Sequence, residues 1–432
     1  MGTLHRRAFL ATATAAAGGM SLGWTLPAQA ITPLFQAALG IWAVIDAHDG
    51  ITIRIARSEM GQGTLTGLAQ LVADELEADW SRVRTEYVAP EANLASKRAW
   101  GDMLTGGSRG IRTSVDYVRQ GGAAARTMLV QAAATRWGVP VGDCIARESV
   151  VRHSASGRSL RYGELAADAA KLPVPKDVPL KQPADWRIIG KPLPRLDTAP
   201  KVNGSETYAI DVRLPGMLQA AIAQSPVFGG KLATFDAAAI TSMPGVRHVL
   251  PVGDNAVAVV ADTWWQAKTA LEKLPVTWDD GPNAAVSSAT IAARLREGLD
   301  ATDAFVGHRI GDAPAALAGA TRKISADYGT PFLNHATLEP MNCTAQVTGD
   351  RVEVWVGTQN GDATLAAAAE AGGVPLANVK VNKYILGGGF GRRGFQDYTR
   401  QAVLLAKQLP GTPVKMIWSR EEDMQHGFYR PI

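Results

Sequence analysis

The strongest constraint on this chain is a glycine run, Gly387-Gly388-Gly389-Phe390-Gly391, set between a strand-like stretch (379–386) and a helical one (396–407). A strand, a glycine turn and a helix in that order bring backbone N–H groups close to a helix N-terminus, where an anion can sit. Arg392 and Arg393 follow at once, and paired guanidinium groups are good phosphate donors. Gly389 to Gly394 also spells G-x-G-x-x-G, with Glu421 near the end of the next strand-like run, which is a passable dinucleotide fingerprint. A tight turn without a ligand is the plainer alternative. Only a few tens of residues follow for the second half of a dinucleotide fold, so an anion-binding turn is the firmer expectation.

Elsewhere the pattern is α+β. Residues 41–56 read as a hairpin about Asp49-Gly50, and residues 64–78 as an amphipathic helix carrying Leu65, Leu68, Leu71, Val72 and Leu76 on one face. A second helix is expected over 114–137, stopped by Gly138 and Pro140. Residues 171–200 are rich in Pro and Lys and read as an extended linker. Strands are expected at 218–223, 246–251, 256–261 and 276–278, with a helix at 264–274. Further strands follow at 351–356, 379–386 and 414–418. Two glutamine-bearing turns, Gly61-Gln62-Gly63 and Thr358-Gln359-Asn360, precede similar helices and hint at two related lobes.

Composition excludes several functions. The net charge of +4 on 432 residues gives no global signature of nucleic-acid binding. The two cysteines, Cys144 and Cys343, cannot hold an iron–sulfur cluster, which needs about four thiolates. They read as buried thiols or as one disulfide. The first thirty residues place Arg6-Arg7 ahead of Phe9-Leu10, a weakly apolar Ala-rich run, and Ala28-Gln29-Ala30, a small-residue cleavage site. This is the pattern of a twin-arginine (Tat) signal peptide over residues 1–30, which carries folded proteins to the periplasm. No later stretch is long and apolar enough for a membrane span.

The neighbours of the glycine run carry a resemblance. Gly387 to Gly391, Thr358-Gln359-Asn360 upstream and His335-Ala336-Thr337-Leu338-Glu339-Pro340 resemble segments of the large, molybdopterin-binding subunit of the xanthine oxidase family of molybdenum hydroxylases. Arg420-Glu421-Glu422-Asp423-Met424 followed by Tyr429-Arg430-Pro431 resembles another. Val202-Asn203-Gly204, Pro244-Gly245-Val246 and residues 256–263 resemble the family's hammerhead domain. Glu59-Met60-Gly61-Gln62-Gly63-Thr64 and Leu104-Thr105-Gly106-Gly107-Ser108 resemble two further segments, placed here ahead of the hammerhead. That permuted order resembles the isoquinoline 1-oxidoreductase β-subunit and periplasmic aldehyde oxidoreductase type.

The resemblance implies a hammerhead-type α/β domain plus molybdopterin-binding α+β lobes. Residues 41–170 would be the N-terminal part of the second lobe, 171–190 a linker, 191–280 the hammerhead and 321–432 an incomplete first lobe. It implies a molybdopterin cytosine dinucleotide carrying molybdenum, with no direct protein ligand to the metal. Gln359 would hydrogen-bond an oxygen ligand of the metal, with Gly389, Phe390, Gly391 and Arg392 beside it. Gln62, Gly63, Gly107 and Ser108 would hold the pterin and its nucleotide. Arg430 would face the substrate, an N-heterocycle or an aldehyde; its plainer reading is a surface ion pair. Electrons would pass to a small [2Fe-2S] subunit and on to a cytochrome or other acceptor, with no nucleic acid involved.

Two departures qualify this. Gly394 stands where purine-oxidising relatives carry an acid, and Arg392-Arg393 replace Gly-Lys, which argues against a purine substrate. The family's V-G-E-P motif, which carries the general base, does not occur. The expectation is therefore a chain that stops before the catalytic glutamate and is inactive alone, with Glu339, Glu421 and Glu422 serving other purposes. The rivals are a Rossmann-type flavin or nicotinamide dehydrogenase built on residues 389–394 and a non-catalytic truncated remnant.

Overall fold

Alternation and turn chemistry set the first layer. In the computed structural model, which describes residues 20–22 and 41–429, the strands Ala43–Ile45 and Ile51–Ile55 pair antiparallel about a turn in which Asp49 takes a left-handed φ of 68°. Val83–Tyr87 adds parallel to Ile51–Ile55, and Met20–Leu22 pairs along Ala43–Ile45, giving a four-stranded sheet. Ile45, Ile51, Ile53 and Ile55 are buried beneath the helices Thr64–Leu76 and Val115–Trp137. These helices approach closely because Gly122 has no side chain; a Cβ there would meet the Val72 carbonyl oxygen at 2.4 Å. The long helix ends at Gly138, with φ 64° and its N–H turned back on the last turn, a left-handed cap.

The chain forms two units. The first comprises residues up to Ala220 together with Thr337–Ile417. Besides the four-stranded sheet it holds, side by side, the start of the strand Leu218–Gln224, then Val414–Ile417, Asn342–Thr348, Arg351–Val356 and Val379–Lys383. The helices Gly361–Gly372 and Asp397–Lys407 belong to this unit too. The second unit comprises Ala221–Ala336 and the residues from Trp418 on. It contains the antiparallel pairs Val246–Val252 with Ala256–Ala261 and Lys231–Phe235 with Val276–Asp279, and the helix Trp264–Leu271. The latter is capped by Thr263 and Gln266, which bond each other's backbone N–H groups.

The architecture is α+β, and the expected hairpin, helices and strands all occur. The Pro- and Lys-rich stretch holds no β-strand, contains the short helical turn Pro183–Asp185 and runs into the helix Thr198–Asn203, and it is tied down. Asp74 accepts hydrogen bonds from the successive N–H groups of Arg187, Ile188 and Ile189, and Glu75 pairs with Arg119 while accepting from the Lys181 N–H. Burial opposes ionisation of Asp74, yet these donors and the Lys181 ammonium hold its carboxyl below the usual range. Cys144 and Cys343 are both buried free thiols. The twin-arginine segment and its cleavage site lie outside the described residues apart from Met20–Leu22.

Candidate functional site

In the first unit three turns meet around one side chain. Gln359 is 3% exposed; its Nε2 donates to the Thr105 carbonyl at 2.8 Å, and its Oε1 accepts from the Gly391 N–H at 3.0 Å. The backbone repeats the link: Thr105 N–H donates to the Gln359 carbonyl at 2.7 Å, and Gln359 N–H to the Arg393 carbonyl at 3.0 Å. An amide with one acceptor and two donor hydrogens suits this bridge and retains one N–H for a further acceptor. Gly389 sits against it so closely that a Cβ would meet Gln359 Oε1 and Met60 Sδ, each at 2.6 Å. Only glycine fits there without displacing the bridge.

The glycine turn is held from beneath by Glu339. Its Oε2 accepts the Gly387 N–H at 2.8 Å and lies 3.2 Å from the Arg393 guanidinium; its Oε1 accepts from Asn342 and from the Ile210 N–H. Arg393 is wholly buried and also donates to the Gly388, Glu339 and Pro340 carbonyls. Arg392 is equally buried, with its two terminal nitrogens on the two Asp397 oxygens at 2.9 and 2.6 Å. Both guanidinium groups are thus occupied by protein oxygens. The turn instead presents Phe390, 73% exposed, with a left-handed φ of 52°. A non-glycine residue in that region costs about 1–2 kcal/mol, and such strain persists where the surroundings enforce it, most often at functional positions.

The Gly61–Gly63 turn has its own carboxylate. Glu59, fully buried, accepts N–H groups from Gly61, Gly63 and Leu65 at 2.8, 3.1 and 3.0 Å. This satisfies donors at the start of the Thr64–Leu76 helix. Arg195 at 3.1 Å and Lys201 at 3.5 Å balance its charge, and both also pair with Asp197. Burial opposes ionisation of Asp197, but those two cations outweigh it and bring its carboxyl down to about 2. Gln62 is exposed, with its amide turned onto its own loop, donating to the Ser58 carbonyl and Thr64 Oγ1. Gly107 and Ser108 are exposed in left-handed conformations on the turn that Thr105 anchors. Ser58 links this turn to the Gln359 turn: its N–H donates to Thr105 Oγ1 at 2.8 Å and its hydroxyl donates to the Thr358 carbonyl at 2.7 Å.

The structure thus brings Gln359, Gly389, Phe390 and Gly391 to the Thr105–Ser108 turn, with the Gly61–Gly63 turn against them through Met60. Arg430 lies outside the described residues. Glu59, Arg195, Asp197 and Thr105 were not singled out by sequence reasoning, although Glu59 and Thr105 stand within the quoted motifs. Glu422, in the second unit, accepts from the Gln224 N–H and side chain and faces His426; burial pushes its carboxyl up. Among the described residues no group of three or more His, Cys, Asp or Glu side chains is arranged to hold a metal ion. No helix among them is long and apolar enough to cross a membrane.

Comparison with known proteins bears on what such a site holds. Two family models, each described as a molybdopterin cofactor-binding domain, match residues 6–211 and 299–431. A membrane-bound aldehyde dehydrogenase (pyrroloquinoline-quinone) of Gluconacetobacter polyoxogenes is 33% identical over 99% of this chain and 57% of its own length. The isoquinoline 1-oxidoreductase subunit beta of Brevundimonas diminuta is 32% identical over 99% of this chain and 61% of its own. The chain therefore spans about three fifths of these relatives. Among solved structures, the aldehyde oxidoreductase from Desulfovibrio gigas aligns with a TM-score of 0.44 at 21% identity, over 62% of this chain and 35% of that one.

Proposed function

Since the chain belongs to the molybdopterin-binding large subunits of the xanthine oxidase family, we propose that it serves a molybdenum hydroxylase that oxidises an aldehyde or an N-heterocycle. The observation that carries this reading is the Gln359 bridge, which joins the Thr105 and Gly391 turns and leaves the exposed Phe390, Gly107 and Ser108 beside them. These residues fit a pterin dinucleotide: backbone N–H groups on glycine turns, a backbone approach at Gly389 that a Cβ would block, and small exposed residues in left-handed turns. Among the described residues no protein ligand set for a metal is arranged there, so a metal would arrive with its own ligands.

The molybdenum cofactor, as its cytosine dinucleotide, would supply the two-electron oxidation. Gln359 would direct its remaining amide hydrogen at an acceptor on the cofactor. Gly389, Phe390 and Gly391 would line the metal end, with Phe390 shielding it from water. Gln62, Gly63, Gly107 and Ser108 would hold the pterin and nucleotide. Arg392, fixed by Asp397, would brace the turn from beneath. Arg430 would stabilise negative charge on the substrate. The electrons would leave through a [2Fe-2S] subunit to a cytochrome or similar acceptor, and export by the twin-arginine route would place the protein in the periplasm.

The test is aldehyde- or isoquinoline-dependent dye reduction by the assembled protein, compared with Gln359→Ala. At equal molybdenum content the variant is expected to turn over about 10–100-fold more slowly, as for groups that orient a metal's ligands. Wild-type rates in the variant would refute the assignment.

A further inference from the structure

A second feature of the first unit adjoins the site through Asp197, which also lines it, and its test does not depend on the reading above. A cleft of about 410 Å³ is lined by Leu65, Tyr87, Glu206, Tyr384 and Ile385, with Lys383 among them. Lys383 ends the strand Val379–Lys383; its Nζ donates to the Ala56 carbonyl at 2.7 Å and lies 4.7 Å from the centre of the Tyr87 ring. Among the described residues no carboxylate forms an ion pair with it. A charged ammonium has three donor hydrogens, and here one carbonyl and one ring face are its partners. Burying that charge without a counter-ion is costly, and the group responds by giving up its proton. Burial, aided by Arg57 and opposed by Asp362, brings Lys383 down to about 7. A tether between Ala56 and the strand would explain the hydrogen bond but not the cleft or the missing counter-ion.

Lys415 provides an internal contrast. It is buried where Lys383 is half-buried, and burial lowers it to about 8. Its Nζ, however, is taken up by two carbonyls, Ile210 at 2.6 Å and Val212 at 2.8 Å, and it does not line this cleft. Lys181 and Lys201, the other lysines drawn into the unit, are each paired with carboxylates.

We propose that Lys383 is a reactive amine that captures small carbonyl compounds, aldehydes foremost, as a reversible imine within this cleft. The carbon–nitrogen bond forms as the carbonyl carbon–oxygen bond breaks; the two amine hydrogens leave with that oxygen as water, and no electrons are transferred. A neutral amine is the nucleophile in such a step. At pH 7 about half of a lysine titrating near 7 is neutral, against about one in 2,500 for an ordinary lysine.

The test is to treat the full chain with propionaldehyde and cyanoborohydride across pH 6–9 and map propylated lysines by peptide mass spectrometry. Lys383 is expected to be modified at least about tenfold faster than exposed lysines at pH 7. Its rate should level off above about pH 8 while theirs keeps rising. Lys383→Gln, which stays neutral and keeps an N–H donor on the Ala56 side, should abolish that adduct and leave the melting temperature near wild type. Modification of Lys383 no faster than of exposed lysines would overturn the proposal. So would equal modification of Lys415, because a lowered proton affinity without a cleft would then suffice. Neither metal nor pterin enters the measurement, so its failure is separate from failure of the hydroxylase reading.

Discussion

The two glycine turns of the site are each fastened by one buried glutamate, but by different means. Glu339 gathers groups from distant stretches, namely Ile210, Asn342, Gly387 and Arg393, and its cation is wholly buried. Glu59 gathers N–H groups within six residues of itself, and its cations reach in from residues 195 and 201, with the Arg195 side chain 37% exposed. The same contrast separates the two glutamines. Gln359 is buried and bridges two turns, whereas Gln62 is exposed and closes only its own loop. A turn held from across the fold is fixed once the fold forms, and a turn held by its own helix start can adjust. On the proposed reading, the first would suit the metal end of the cofactor and the second its pterin.

This contrast can be broken by substitution. The largest effect is expected for Glu339→Ala, which leaves Arg393 buried without its carboxylate. A loss of about 3–5 kcal/mol is typical for such a change, read as a shift in the urea midpoint. A loss below about 1 kcal/mol would mean that the carbonyls around Arg393 suffice. Glu59→Gln keeps one acceptor oxygen, removes the buried charge and replaces the other accepting oxygen with a donor that the facing N–H cannot use. About 1–2 kcal/mol is expected, together with faster hydrogen exchange at Gly61, Gly63 and Leu65 and unchanged exchange at Gly387. Equal loosening of both turns would erase the distinction. The smallest effect is pH dependence through Asp197. Its folded carboxyl, at about 2, lies below its ordinary value of 3.8. Its contribution to stability is therefore full above about pH 4 and lost as pH falls through about 2. Asp197→Asn should flatten stability in that window and lower it at pH 7, where the ionised carboxylate contributes in full.

Sequence patterns made the elements legible because the hairpin about Asp49, the helix with Leu65 and Leu68, and the strand at 256–261 each declare their own period. The strand Asn342–Thr348, central in its unit, was not recognised. Its run of Asn, Cys, Thr and Gln is buried on both faces and shows no alternation. At the site, Gln359 and the glycines were legible from the motifs that contain them. The partners were not. Nothing local tells that Arg392 faces Asp397 and Arg393 faces Glu339 rather than a phosphate, because either arginine presents the same fork to either anion. Arg195 and Asp197 lie within a Pro-rich stretch that reads as a linker, and their role depends on a contact with Glu59 made 136 residues away.

The most direct test of the central claim is the metal and nucleotide content of the purified protein, made in a host that supplies the molybdenum cofactor. About one molybdenum and one cytidine nucleotide, released by acid hydrolysis, are expected per chain, with both lost together on Gly389→Val, which fills the space beside Gln359. Metal-free protein carrying flavin, nicotinamide or an extractable quinone, or molybdenum retained undiminished in the Gly389 variant, would contradict it.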